Sequence, residues 1–168
     1  MALAFGLAPY LPEVGRSCAA KAGPIKGACD WAEPANNELQ VDLVRETVFN
    51  NILLCVEVNG RAGLMILDTG SSTTFVSPGI SGIPLLSPNR TVTPLKGSGW
   101  VSSGQWGEAN IHIGGHRWIN RRVVVDDMRT ISKALGQQVD GILGEDLLSQ
   151  YRSVIINYND NRLILIDR

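Results

Sequence analysis

Asp68 is the one polar insertion in the most apolar run of the chain. Met65-Ile66-Leu67 precede it, and Thr69-Gly70-Ser71-Ser72 follow. An ionised carboxylate at the end of a buried strand is costly unless it is paired or hydrogen-bonded. The neighbouring residues supply donors. Gly70 permits a sharp turn with an unobstructed N–H, and Thr69 and Ser71 carry hydroxyls. One carboxylate cannot easily serve as both acid and base. Two that share a proton can, because like charges at close range keep one member protonated and leave the other ionised. The ionised member then activates a water while the protonated one polarises a carbonyl.

Other polar clusters have simpler roles. Asp126-Asp127 stand just before a helical stretch, where N-capping is expected. Glu145-Asp146 follow Gly144 at a helix start, where acidic residues favour the dipole. His112 and His116 flank Gly114-Gly115 and are expected as exposed hairpin histidines. Arg121-Arg122 reads as a solvated face. Trp106 and Trp118 read as core or rim packing. Gly97-x-Gly99 lacks the lysine and Ser/Thr of a phosphate-binding loop. The three cysteines, at 18, 29 and 55, have neither CxxC nor zinc-finger spacing. Cys55 sits in an alternating pattern as a small core residue. Cys18 and Cys29 are free to pair if the chain is exported and stay reduced in a cytosol.

The elements that must position Asp68 are mainly strands. Val48 to Val58 reads as a strand, and Asn59-Gly60 is a strong hairpin signal. Gly63 to Leu67 is near-continuously apolar, as for a strand buried on both faces. Thr73 to Val76 resumes an extended pattern after the Asp68 turn. Residues 77–90 read as a loop. Thr91 to Leu95 and Trp100 to Ile113 read as a long hairpin around Lys96-Gly97-Ser98-Gly99. Trp118 to Val125 is a further strand. Met128 to Leu135 is helical in composition, with Gly136 as its C-cap. Val139 to Leu143 reads as a short strand and Glu145 to Tyr151 as a short helix. A closing hairpin joins Ser153–Tyr158 to Leu163–Ile166. Residues 1–44 show no sustained period and read as an extension or linker, with 45–168 as the domain. Met1 to Leu11 resembles a short signal h-region without a preceding Lys or Arg, which leans towards a periplasmic or secreted location.

Composition narrows the function classes. The chain has 168 residues, 44% of them apolar and 18% charged, with a formal net charge of −1. That is one domain's worth of chain with enough apolar material for a core. The charge balance gives no electrostatic basis for nucleic-acid binding. The apolar stretches fall far short of the ~18 residues an integral membrane segment needs. The 18 glycines and 8 prolines suit a turn-rich β fold.

Ile66-Leu67-Asp68-Thr69-Gly70-Ser71-Ser72 resembles the active-site strand of aspartic proteases, both pepsin-like and retropepsin-like. A second element supports the resemblance. Asp140-Gly141-Ile142-Leu143-Gly144, followed by Glu145-Asp146-Leu147-Leu148, is similar to the family's hydrophobic-hydrophobic-Gly element. In that family the element packs beside the catalytic loop and leads into a short helix. The order of elements also matches, over roughly residues 45–168.

The resemblance implies an all-β fold: a single-lobe acid-protease barrel with a flap hairpin and one or two short helices. It implies an aspartic endopeptidase that needs neither metal nor organic cofactor. Asp68 would be the catalytic aspartate, and Thr69 would make interlocking hydrogen bonds beneath the pair. Gly70 would help keep the carboxylates coplanar, and Ser71 would donate to the outer carboxylate oxygen. Gly97, Ser98, Gly99 and Trp100 would form the flap over substrate, with Trp100 where pepsins carry a tyrosine. Ile142, Leu143 and Gly144 would be the hydrophobic-Gly element. Only one Asp-Thr-Gly is present, so the implied enzyme is a homodimer with one Asp68 from each copy and a peptide or protein substrate across the two-fold axis. Two competing readings are a catalytically inactive protease-like module for peptide binding or assembly, and a zymogen that loses its first 40-odd residues by self-cleavage.

Overall fold

The computed structural model describes residues 38–45, 50–80, 82–86 and 104–168. In chain order the elements are β1 (Glu38–Arg45), β2 (Ile52–Val58), β3 (Arg61–Leu67), β4 (Phe75–Val76), β5 (Gln105–Ile113) and β6 (His116–Val125). Helix α1 (Arg129–Leu135), β7 (Gly141–Leu143), helix α2 (Glu145–Leu148), β8 (Ser153–Asn157) and β9 (Arg162–Ile166) complete them. The fold is all-β with two short helices, as the sequence implies.

The β2–β3 hairpin turns at Asn59-Gly60, where both residues have positive φ, 50° and 78°. That is the backbone a two-residue hairpin needs, and Asn-Gly supplies it at little steric cost. From β3 the sheet runs through β7, β4, β6 and β5 and returns to β2, closing a six-stranded barrel. β3 and β7 are parallel, with Leu67 opposite Leu143; β4 and β6 are also parallel. The remaining strands branch from β2: β1 pairs with it, β9 pairs with β1, and β8 pairs with β9.

The apolar run of β3 is explained by two cores. Met65 and Leu67 point into the barrel with Leu54, Val56, Ile111 and Leu143. Leu64 and Ile66 point the other way, against Leu53, Ile131, Leu135 and Val139 beneath α1. A strand covered on both faces has no polar side to alternate. Helix α1 ends as expected on Gly136, left-handed at φ 66°.

Strand β1 begins inside the segment read from sequence as an extension. Its Leu39, Val41 and Leu43 are buried while Gln40 and Asp42 are exposed. That is a two-residue period, masked in the sequence by the irregular stretch before it. The flap residues and Cys18 and Cys29 lie outside the described residues, as do the other N-terminal features. Cys55 is buried as expected, and it is also disulfide-bonded.

The histidines differ from expectation. His112 is largely buried, with Nδ1 2.9 Å from Glu57 Oε2. His116 stacks on Trp118 and Tyr151, with ring centroids 4.6 and 5.1 Å away. Arg122 lies over the Trp106 ring at 4.6 Å rather than standing wholly in solvent. Asp127 accepts the Arg129 N–H at 2.9 Å at the start of α1. Its side-chain hydrogen bond with the Arg129 guanidinium holds its carboxyl below the usual range.

Tyr151 carries a prediction. Its hydroxyl is buried without a hydrogen-bond partner among the described residues. Burial, aided by the nearby Asp167 charge, raises its ionisation well above the ordinary value near 10. A raised folded-state value means its contribution is intact below about pH 10 and drains away above it, because the unfolded chain ionises first. Tyr151→Phe therefore flattens the alkaline fall of the thermal midpoint. At pH 7 it leaves stability equal or up to about 1 kcal/mol higher, since an unsatisfied buried hydroxyl is removed. Thermal scans from pH 7 to 11 on both proteins check this.

Candidate active site

Asp68 follows the last residue of β3, where the β3–β7 ladder ends. Its N–H donates to Leu143 O at 3.1 Å, the final rung of that parallel pairing. The chain then turns back: Ser71 N–H reaches Asp68 O at 3.2 Å. The Gly70 N–H donates to Asp68 Oδ1 at 2.8 Å, so the carboxylate is held by the loop it opens. Asp68 is half-buried, and Thr69 and Gly70 beside it are exposed. The acid thus sits at the mouth of the barrel with one oxygen anchored to the backbone.

Ser71 does something different from the role its resemblance implies. Its hydroxyl donates to Thr73 O at 2.7 Å, tightening the turn rather than reaching the carboxylate. Its carbonyl accepts the Glu145 N–H at 2.7 Å. This bond ties the loop to the first turn of α2.

Residues 71–74 are clamped from behind by the Ile142-Leu143-Gly144 element and α2. Gly144 donates its N–H to Thr74 Oγ1 at 3.1 Å. The Thr74 hydroxyl donates in turn to Asp146 Oδ1 at 2.7 Å, and the Thr74 N–H donates to Asp146 Oδ2 at 3.1 Å. Thr74 is 0% exposed, and every polar group it presents to this clamp is satisfied. Gly144 is pressed against the loop. A Cβ on it would stand 2.6 Å from Thr73 C and O and 2.8 Å from Ser71 O.

Asp140 provides a second tie at the far end of β7. Its Oδ2 accepts the Leu64 N–H at 3.0 Å, and its own N–H donates to Leu64 O at 2.7 Å. Its carbonyl also receives the Ser77 N–H at 2.7 Å.

The structure brings Asp68, Thr69, Gly70 and Ser71 together with Leu143 and Gly144, and sets Ile142 opposite Ile66 in the same ladder. Sequence reasoning missed Thr74 and the structural use of Asp146. The available signal was the second of two threonines, directly before Phe75-Val76, with an acid directly before Leu147-Leu148. Asp146→Ala strands the buried Thr74 N–H and hydroxyl. We expect a loss of about 2 kcal/mol, with partial recovery in Asp146→Asn, which retains one acceptor oxygen; urea unfolding of the three proteins measures it.

Gly97, Ser98, Gly99 and Trp100 lie outside the described residues, and the described residues on either side of that stretch pair with each other. Leu85 bridges Gly107, Leu86 N–H donates to Trp106 O at 2.9 Å, and Glu108 N–H donates to Pro84 O at 3.0 Å. Residues 84–86, inside the stretch read as a loop, are therefore antiparallel partners of residues 106–108. A pocket of about 330 Å³ lies beside this pairing, among Ile80, Ile83, Leu85 and Val125. A cleft of about 560 Å³ opens by Glu57, Asn59, His112 and Arg117. That cleft is at the other end of β3, roughly 20 Å from Asp68 by strand rise. Among the described residues, no three His, Cys, Asp or Glu side chains are placed to hold a metal ion. No helix among them is long and apolar enough to cross a membrane.

No protein-family model and no curated protein matches the chain. Among solved structures it is similar to a retropepsin-like aspartic protease from Rickettsia conorii. The two share 16% identity at a TM-score of 0.47, over 81% of this chain and 94% of that one. It is also similar to EIAV protease solved with the inhibitor HBY-793, at 21% identity and a TM-score of 0.42, over 58% of this chain and 84% of that one.

Proposed function

We propose that the chain is an aspartic endopeptidase whose active site is completed by a second copy of itself. The observation that carries this reading is the Asp68 loop. It presents a carboxylate at the open end of a closed barrel, with one oxygen fixed by the Gly70 N–H and Thr69 and Gly70 exposed beside it. An acid fixed in this way, beside an exposed Thr-Gly, is suited to meet its twin across a two-fold axis. The clamp from Gly144, Thr74 and Asp146 keeps the loop rigid enough for the two carboxylates to share one proton.

In the dimer the ionised Asp68 takes a proton from a water whose oxygen attacks the scissile carbonyl carbon. The protonated Asp68 hydrogen-bonds to the carbonyl oxygen as it gains charge. Collapse of the tetrahedral species breaks the C–N bond, and the leaving nitrogen takes up the proton. Thr69 from each chain cross-links the loops beneath the pair. The hairpin based on residues 84–86 and 106–108 closes over an extended peptide, with Gly97, Ser98, Gly99 and Trp100 towards its tip.

The test is cleavage of a mixed peptide library by the purified chain, with products mapped by mass spectrometry. New termini that appear with the native chain and not with Asp68→Asn support the reading. Identical product sets from both proteins contradict it.

A further inference from the structure

Cys55 is the one cysteine among the described residues, and it is disulfide-bonded. It sits in the middle of β2, where Leu54 and Val56 on either side point into the barrel. Successive strand residues face opposite ways, so Cys55 faces outward with Leu53. Its cross-strand neighbour Leu64 packs with Leu53 in the outer core. Cys55 is only 8% exposed, which puts its sulfur out of reach of a cysteine on another copy's surface. Its partner is therefore sought within the chain, and the sequence contains two other cysteines, Cys18 and Cys29.

We propose that Cys55 is bonded to Cys29, and that this bond fastens the chain ahead of β1 to the outer wall of the barrel. Reach decides between the two candidates. The β1–β2 ladder sets Leu43 opposite Leu54, which brings Asp42 beside Cys55. Glu38, where β1 begins, is then about 14 Å from Cys55 by strand rise. Cys29 stands nine residues before Glu38 and Cys18 twenty. A random-coil tether of that shorter length spans roughly 17 Å, and the longer one roughly 25 Å. Effective concentration peaks where tether and span match and declines for longer tethers, which favours Cys29 about two- to threefold. Bond formation takes two electrons and two protons from the two thiols and passes them to an external disulfide, which leaves as two thiols. Cys18 keeps its thiol, because no further cysteine is left to pair with it. The bond persists in an oxidising compartment and not against a cytosolic thiol pool. It also changes what a cut ahead of β1 does. Cleavage between residues 30 and 37 leaves the N-terminal piece attached to β2, so releasing that piece takes both proteolysis and reduction.

Peptide mapping of the full chain tests this. Trypsin separates the three cysteines into the peptides 17–21, 27–45 and 46–61. The chain is equilibrated with glutathione disulfide, its remaining thiols are blocked with a maleimide, and the digest is read without reductant. The expected product is 27–45 joined to 46–61, with the maleimide on 17–21. Cys55 blocked by maleimide or capped by glutathione, 17–21 joined to 46–61, or two copies joined through 46–61 each overturn the proposal. Thermal scans test the fastening itself. Complete reduction should lower the midpoint of the native chain and of Cys18→Ser alike, by roughly 5–10 °C. The variant carrying both Cys18→Ser and Cys29→Ser should start at the lowered midpoint and not respond to reductant. If that variant fails to fold, the native chain with and without reductant gives the same reading. A native midpoint that complete reduction leaves unmoved overturns the fastening. The inference does not depend on the dyad: Asp68→Asn should form the same bond, so the two readings fail separately.

Discussion

Asp68→Asn should lose at least about a thousandfold in kcat/KM while its circular dichroism and thermal midpoint stay close to native. An amide cannot take a proton from water or share one with a partner acid, and this is the range that general acid–base groups supply. The fold should tolerate the change because the structural use of Asp68 is modest. Its main-chain N–H and C=O, bonded to Leu143 and Ser71, are untouched. Asn can still present a carbonyl oxygen to the Gly70 N–H in place of Oδ1. Separating lost chemistry from lost structure is the purpose of the variant. A protein with native stability and no turnover isolates the acid. One that unfolds would instead mark Asp68 as a structural turn residue.

Gly144→Ala should cost about 3 kcal/mol or more and carry activity down with it. The added methyl has no direction in which to yield. Its nearest neighbours are the Thr73 and Ser71 backbone at 2.6–2.8 Å, not the tip of a flexible side chain. Overpacking against fixed atoms is relieved only by moving them, and here they belong to the loop that carries Asp68. Gly144 also stands at the junction where its own N–H reaches Thr74 and the next N–H reaches Ser71. Displacing it lengthens both bonds. Urea unfolding together with kcat/KM checks this. A variant of native stability would show that the loop is softer than its packing implies.

Much of this was legible in the sequence, for identifiable reasons. Asn59-Gly60 fixed the first hairpin because few other pairs reach positive φ at both positions. The unbroken Leu64–Leu67 run gave a strand covered on both faces. Asp68-Thr69-Gly70 and Ile142-Leu143-Gly144 could be paired because each is a short local pattern that resembles an element of the aspartic-protease family. What escaped notice were links between distant residues. Thr74 and Asp146 are 72 apart in sequence and look ordinary separately; pairing of β4 with β7 brings them together. His112 looked like a surface residue because its partner, Glu57, lies on a strand brought beside it by barrel closure. β1 was hidden because its alternation is short and follows an irregular stretch. Residues 84–86 were read as a loop because Pro84 and its neighbours have turn composition, while their pairing with Trp106–Glu108 is set by tertiary contact.

The central claim is that one active site takes an Asp68 from each of two chains. Mixing native and Asp68→Asn chains under conditions of subunit exchange tests it directly. If both acids are needed, random pairing leaves mixed dimers inactive. Activity per native chain then falls to about half at equal amounts and to about a tenth at a ninefold excess of the variant. If each chain works alone, activity per native chain stays constant at every ratio, and the two-chain site is wrong.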